Sequence, residues 1–127
     1  MSHTVWLVET DQGVRDSIEG LLNSAGYNVK SYWDATAFLR KFIKAPCGWV
    51  LIGDHLPQLD GLDVLNGVCD IASDADVVFL TSRAADERAT TALRMGARGV
   101  LEKPYDPMHL MGILAAKPLA QGSASGV

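Results

Sequence analysis

With 127 residues, 48% of them hydrophobic, and 15 acidic against 11 basic side chains, the chain has the size and composition of one compact α/β domain. Its net charge of −4 argues against direct binding to nucleic acid, which calls for a basic stripe. No apolar run approaches the roughly 20 residues of a membrane span, and the start MSHTVWLVET lacks the basic region and apolar core of a signal peptide, so a cytoplasmic location is expected.

Apolar runs alternate with helical patterns along the chain. Thr4 to Val8 is short, β-rich and followed by acids, which predicts a buried strand. Asp11 is placed to cap a helix whose Val14, Ile18, Leu21, Leu22 and Ala25 share one face, and Gly26 suits a left-handed C-terminal turn. Asn28 to Tyr32 is a second strand. Asp34 caps a short helix carrying Ala37, Phe38 and Ile43, and Pro46 and Gly48 break the chain before a third strand from Trp49 to Ile52 or Gly53. A third helix is expected over Leu62 to Ile71, weakened by Gly67, then a fourth strand over Asp76 to Thr81 and a fourth helix over Ala84 to Met95, ended by Gly96. Gly99 to Glu102 is a short fifth strand, and Asp106-Pro107 opens a fifth helix running to about Ala116. Residues 117–127 have no periodicity and are expected to form a linker or free tail, the start of a connection to a further domain if the native chain continues.

Five β-α units with nearly continuous apolar strands predict a doubly wound, three-layer α/β fold with a parallel sheet covered on both faces. Ligands of such sheets bind beyond the carboxyl ends of the strands. Those ends bring together Glu9, Thr10 and Asp11; Gly53 and Asp54; Thr81; and Lys103. Acids, hydroxyls and a lysine converging from four strands are the equipment for holding a hard cation and phosphoryl oxygens. Cys47 and Cys69 match no zinc pattern and read as a loop thiol and a half-buried helix thiol. His3, His55 and His109 are scattered, and no metal site is expected from them.

The segments VWLVETDQGVRDSIEGLLNSAGYNV, SYWDATAFL, WVLIGDHLPQLDGLDVL, VVFLTSRA and ALRMGARGVLEKPYD resemble a response-regulator receiver domain of bacterial two-component signalling. Within that family the chain is similar to the branch of the nitrogen-fixation regulators, which usually carry a LuxR-type DNA-binding domain behind the receiver. The resemblance covers residues 4–116, taken as the receiver domain, and implies a flavodoxin-like sheet of strand order 2-1-3-4-5. It also implies a phosphoacceptor Asp at the end of the third strand, four residues before the loop proline and eight before the loop glycine. Counting back from Pro57 and Gly61 reaches Gly53 both times. The acid that normally touches Mg²⁺ falls on Thr10, the responding hydroxyl on Thr81, the phosphate-pairing lysine on Lys103, and the aromatic switch position on Val100.

Glycine has no nucleophile, Thr10 is a poor Mg²⁺ ligand beside a carboxylate, and Val100 has no ring to rotate. Three departures at coupled positions lead to the expectation of an atypical, phosphorylation-independent receiver that is not an enzyme, needs no cofactor and acts by protein–protein contact. Its partners would be a histidine kinase or an effector domain, with DNA reached only through such an effector. By resemblance, the working face is the fourth helix, fifth strand and fifth helix, where Arg88, Arg94, Val100 and Tyr105 lie and where a homodimer would form. Arg83, Arg88, Arg94 and Arg98, with Asp86 and Glu87, are candidates for charge pairs across that dimer.

The alternative is a phospho-accepting receiver that uses Asp54 with Mg²⁺ and a histidine-kinase donor; any metal would then fall to Glu9, Asp11 and Asp54. Strand alternation opposes it, because a shift of one residue moves the carboxylate to the other face unless a bulge at Gly53 restores it. Otherwise Asp54 is expected as a solvent-facing loop acid. With no Asp opposite it, Glu9 is expected to pair with Lys103. A nucleotide- or flavin-binding enzyme would need a glycine-rich phosphate loop after the first strand, and ETDQGVRDS has one glycine among several acids.

Overall fold

The computed structural model describes residues 4–57, 59–82 and 87–115. The strands are β1 (Thr4–Val8), β2 (Asn28–Tyr32), β3 (Trp49–Gly53), β4 (Asp76–Thr81) and β5 (Gly99–Glu102). They form one parallel sheet in the order β2-β1-β3-β4-β5. The helices are α1 (Gln12–Ser24), α2 (Ala35–Phe42), α3 (Gly61–Ile71), α4 (Glu87–Met95) and α5, residues 107–115. The fold is the doubly wound flavodoxin-like one, and all five strands lie where the sequence predicts them. Among the described residues no helix is long and apolar enough to cross a membrane.

Side-chain alternation divides the core in two. Trp6 and Val8 of β1, Val50 and Ile52 of β3, and Val77 and Phe79 of β4 meet Phe38 and Phe42 of α2, Val64, Leu65 and Val68 of α3, and Ala92 of α4. Val5, Leu7, Trp49, Leu51, Val78, Leu80 and Leu101 meet Ile18 and Leu22 of α1 and Leu110 and Leu114 of α5. This division decides where the polar residues just beyond each strand point.

The caps follow the sequence. The Asp11 carboxylate accepts from the Val14 amide at 3.1 Å, Asp34 from Thr36 at 3.0 Å and Asp106 from Met108 at 3.0 Å. Two boundaries differ from expectation. The third helix begins at Gly61, because Asp60 caps it by accepting from Leu62 at 2.9 Å. On α2 the inward positions are Ala35, Phe38 and Phe42; Ile43 is the C-cap and is exposed, since the helix ends before another turn brings it round to the core. The expected start of the fourth helix at Ala84, its neighbours Arg83 and Asp86, His3, Ala116 and the tail at 117–127 lie outside the described residues.

Candidate functional site at the carboxyl end of the sheet

The strand ends gather the residues singled out from the sequence and sort them into two groups. By alternation Glu9 and Gly53 continue the α1/α5 side of β1 and β3, while Asp54 and Thr81 continue the α3/α4 side of β3 and β4. The β3–β4 register runs from Trp49 opposite Asp76 to Gly53 opposite Leu80 with no inserted residue, and the Asp54 amide donates to the Leu80 carbonyl at 2.8 Å. There is no bulge at Gly53, so Asp54 does not reach the position that Gly53 occupies.

On the α1/α5 side, Lys103 Nζ donates to Glu9 Oε1 at 2.6 Å, the ion pair expected from the sequence. Glu9 is buried at 3% side-chain exposure, and its second oxygen accepts from the Asp11 amide at 3.0 Å. The pair lies directly before Gly53: a Cβ built there would stand 2.8 Å from Glu9 Oε1. A single methyl group at residue 53 would therefore displace the carboxylate. Behind it, Gly61 is required by close approach, since a Cβ at Gly61 would stand within 3 Å of the Asp54 carbonyl oxygen and closer still to that of Gly53. Tyr105, half-buried against the α1 face, has its phenol pushed up to about 12 by burial; Ser17 opposes that shift and the Glu9 carboxylate adds to it.

On the α3/α4 side, Asp54 is buried at 6% side-chain exposure, not the solvent-facing loop acid expected. It is buried because it is paired. Thr81 Oγ1 donates to Asp54 Oδ2 at 3.2 Å, and Arg88 Nε donates to Asp54 Oδ1 at 2.7 Å. The same guanidinium reaches Asp60, with Nη1 3.0 Å from Oδ2 and Nη2 in close contact with Oδ1. Arg88 holds the Asp60 carboxyl below the usual carboxylate range, and the two carboxylates push the guanidinium further up. Arg88 is thus committed within the chain and is not an exposed group for pairing across a dimer. Arg98 is likewise engaged, donating to Asp76 at 2.6 Å. Arg94 is exposed, and Val100 is half-buried against the α3/α4 core.

The remaining residues are also occupied. Thr10 donates its hydroxyl to the His55 carbonyl at 3.2 Å, and Arg15 Nη1 donates to the carbonyls of Glu9 and Thr10 at 2.7 and 2.9 Å. The His55 ring is exposed, with Nε2 3.7 Å from Asp54 Oδ2. A divalent cation at this pocket would need Glu9, Asp11 and a third oxygen ligand together. Glu9 is bound to Lys103, Asp11 caps α1, Thr10 is neutral and Gly53 has no side chain; the residues do not fit Mg²⁺. Among the described residues no group of three His, Cys, Asp or Glu is placed to hold a metal ion.

Residues 5–115 match the response regulator receiver domain family. The chain belongs to that family. It is a receiver domain of a two-component response regulator, a signalling module. It is 30% identical over 125 residues to the transcriptional regulatory protein FixJ of Bradyrhizobium diazoefficiens, covering 94% of this chain and 61% of that protein. It is 26% identical over 110 residues to the response regulator protein TmoT of Ectopseudomonas mendocina, covering 87% of this chain and 50% of the relative. The receiver thus spans about half the length of the curated relatives it matches. Among solved structures, chemotaxis protein CheY4 of Vibrio cholerae shares the fold at TM-score 0.83 and 24% identity, over 91% of this chain and 98% of that one. The receiver domain of the sensor histidine kinase PA1611 from Pseudomonas aeruginosa, described with a magnesium ion coordinated in its active site cleft, aligns at TM-score 0.81 and 25% identity, over 90% of this chain and 95% of that one.

Arg88 as the partner of Asp54 was not legible beforehand. The signal lay in the alternation of β3, which groups Asp54 with Val50 and Ile52 on the side where α4 packs.

Proposed function

We propose that this receiver signals without phosphorylation at the family's acceptor position, as an interaction module. The observation that carries this reading is the 2.6 Å Glu9–Lys103 pair lying against Gly53. The lysine that would meet a phosphoryl group is bound to a protein carboxylate, and the residue that would bear the phosphoryl has no side chain. The pair stands in for the charge neutralisation a phosphorylated receiver acquires, and it holds the strand ends in one state. Signalling then passes through the surface of α4, β5 and α5, where Leu93, Arg94 and Met108 are exposed. Its partner is an effector domain, a histidine kinase or a second copy of the chain, in the cytoplasm, with DNA reached only through an effector.

The second reading makes Asp54 the acceptor, with Mg²⁺ and a histidine-kinase donor. It is favoured by one observation: Asp54 lies 3.2 Å from Thr81, the family's responding hydroxyl. Against it, Arg88 covers one oxygen and Thr81 the other.

The two readings separate in an amide NMR titration with Mg²⁺, alone and with beryllium trifluoride. The first predicts no saturable shifts at residues 9–11, 53–55, 81 and 103. Saturable shifts centred on Asp54 and Thr81 would establish the second.

A further inference from the structure

We infer that Arg88 is an internal latch that fixes the docking of α4 on the sheet, with Asp54 and Asp60 as its two catches. One guanidinium on the first turn of α4 spans the end of β3 and the cap of α3. Its planar fork meets Asp54 Oδ1 with Nε at 2.7 Å and Nη2 at 2.5 Å, and meets Asp60 with both terminal nitrogens, a bridge between two carboxylates that a lysine ammonium cannot reproduce.

The need for such a latch follows from how little else holds the helix. The other described helices anchor through large buried side chains: Ile18 and Leu22 on α1, Phe38 and Phe42 on α2, and Val64, Leu65 and Val68 on α3. On α4 the buried residues are Ala89 and Ala92, with Met95 half-buried at its last position. Two methyl groups remove little apolar surface from water, so apolar packing constrains the helix weakly. The far end is tied separately: Gly96 turns the chain at φ +118, and Arg98 donates its amide to Val77 and its guanidinium to Asp76. At the near end the described polar ties to the sheet are those of Arg88. Breaking them leaves Asp54, which Thr81 alone does not neutralise, to seek solvent.

The latch places the outward residues of α4, Leu93 and Arg94, in a fixed position set by protein carboxylates.

Native-state amide hydrogen exchange tests it, read as the ratio of exchange rates in α4 to those in β1. Arg88→Met keeps helix propensity and chain length and removes the charge. The latch predicts that this ratio rises by about tenfold or more in Arg88→Met, because charge-assisted bonds local to α4 are lost. Asp60→Asn retains the cap acceptor for Leu62 but weakens one catch, and is expected to raise the ratio by a smaller factor. Arg94→Met, on the exposed side of the same helix, is the control and should leave it unchanged. A ratio that stays at the wild-type value in Arg88→Met overturns the latch, even if all rates rise together. Should Arg88→Met not fold, Asp60→Asn decides: a selective rise in α4 supports the latch and an unchanged ratio overturns it.

Discussion

The two sides of the β3 end hold charge in the same way for different ends. On one side Glu9 and Lys103 neutralise each other before Gly53; on the other Asp54 and Asp60 share Arg88. Both networks bury a carboxylate, at 3% and 6% side-chain exposure, and both supply it with a cation and a further donor. They differ in what the cation is attached to. Lys103 follows β5, part of the sheet, so the first pair joins rigid strand ends. Arg88 belongs to a helix whose buried residues are two alanines, so the second pair joins the sheet to an element with little apolar anchorage of its own. One residue along β3 from Gly53, Asp54 faces the other side of the sheet and pairs there with Thr81 and Arg88.

The largest effect should come from rebuilding the first side. Thr10→Asp combined with Gly53→Asp supplies two carboxylates beside Glu9, and Mg²⁺ should then raise the thermal midpoint of the variant while leaving wild type unmoved. A variant that ignores Mg²⁺ would show that the frame, and not only the missing acids, has changed. Next, Lys103→Ala strands the buried Glu9 and should cost on the order of 3 kcal/mol in urea unfolding, whereas Glu9→Ala leaves a lysine that reaches water and should cost clearly less. Equal costs would mean that the pair is not held in a dry pocket. On the second side, Asp54→Asn keeps an acceptor for Thr81 and leaves Arg88 its contact with Asp60, so a loss of about 1–2 kcal/mol is expected by the same measurement. The smallest effects are in pH. The Asp60 pKa is depressed in the folded state, so its contribution is present above the ordinary carboxylate range and is lost as pH falls through the folded value; Asp60→Asn should flatten that acid limb. Tyr105, raised to about 12, loses its proton first in the unfolded chain, so stability should fall as pH climbs from the ordinary phenol value toward 12, and Tyr105→Phe should make that fall shallower.

Most of the fold was legible because it rests on short-range signals. Apolar runs bounded by Gly, Pro and acids mark β1, β3, β4 and β5, and Asp11, Asp34 and Asp106 announce their helices. Two local departures have local causes: capped by Asp60, α3 begins at Gly61, one residue before the apolar pattern, and Ile43 ends α2 facing water while Phe42 takes the core position. The Glu9–Lys103 pair could be foreseen because removing the opposing acid leaves each with no other partner of opposite charge. The Arg88 latch could not, because its carboxylates lie 34 and 28 residues away and only the packing of α4 beside α3 brings them together. On the sequence alone an arginine on a polar helix reads as solvated.

Under the proposed function, no side chain at this strand end accepts a phosphoryl group. Intact-mass measurement after incubation with Mg²⁺ and a small-molecule phosphodonor tests it directly. The unmodified mass is predicted for wild type and for Asp54→Ala alike. A gain of one phosphoryl group in wild type that disappears in Asp54→Ala would contradict the account and make Asp54 the acceptor.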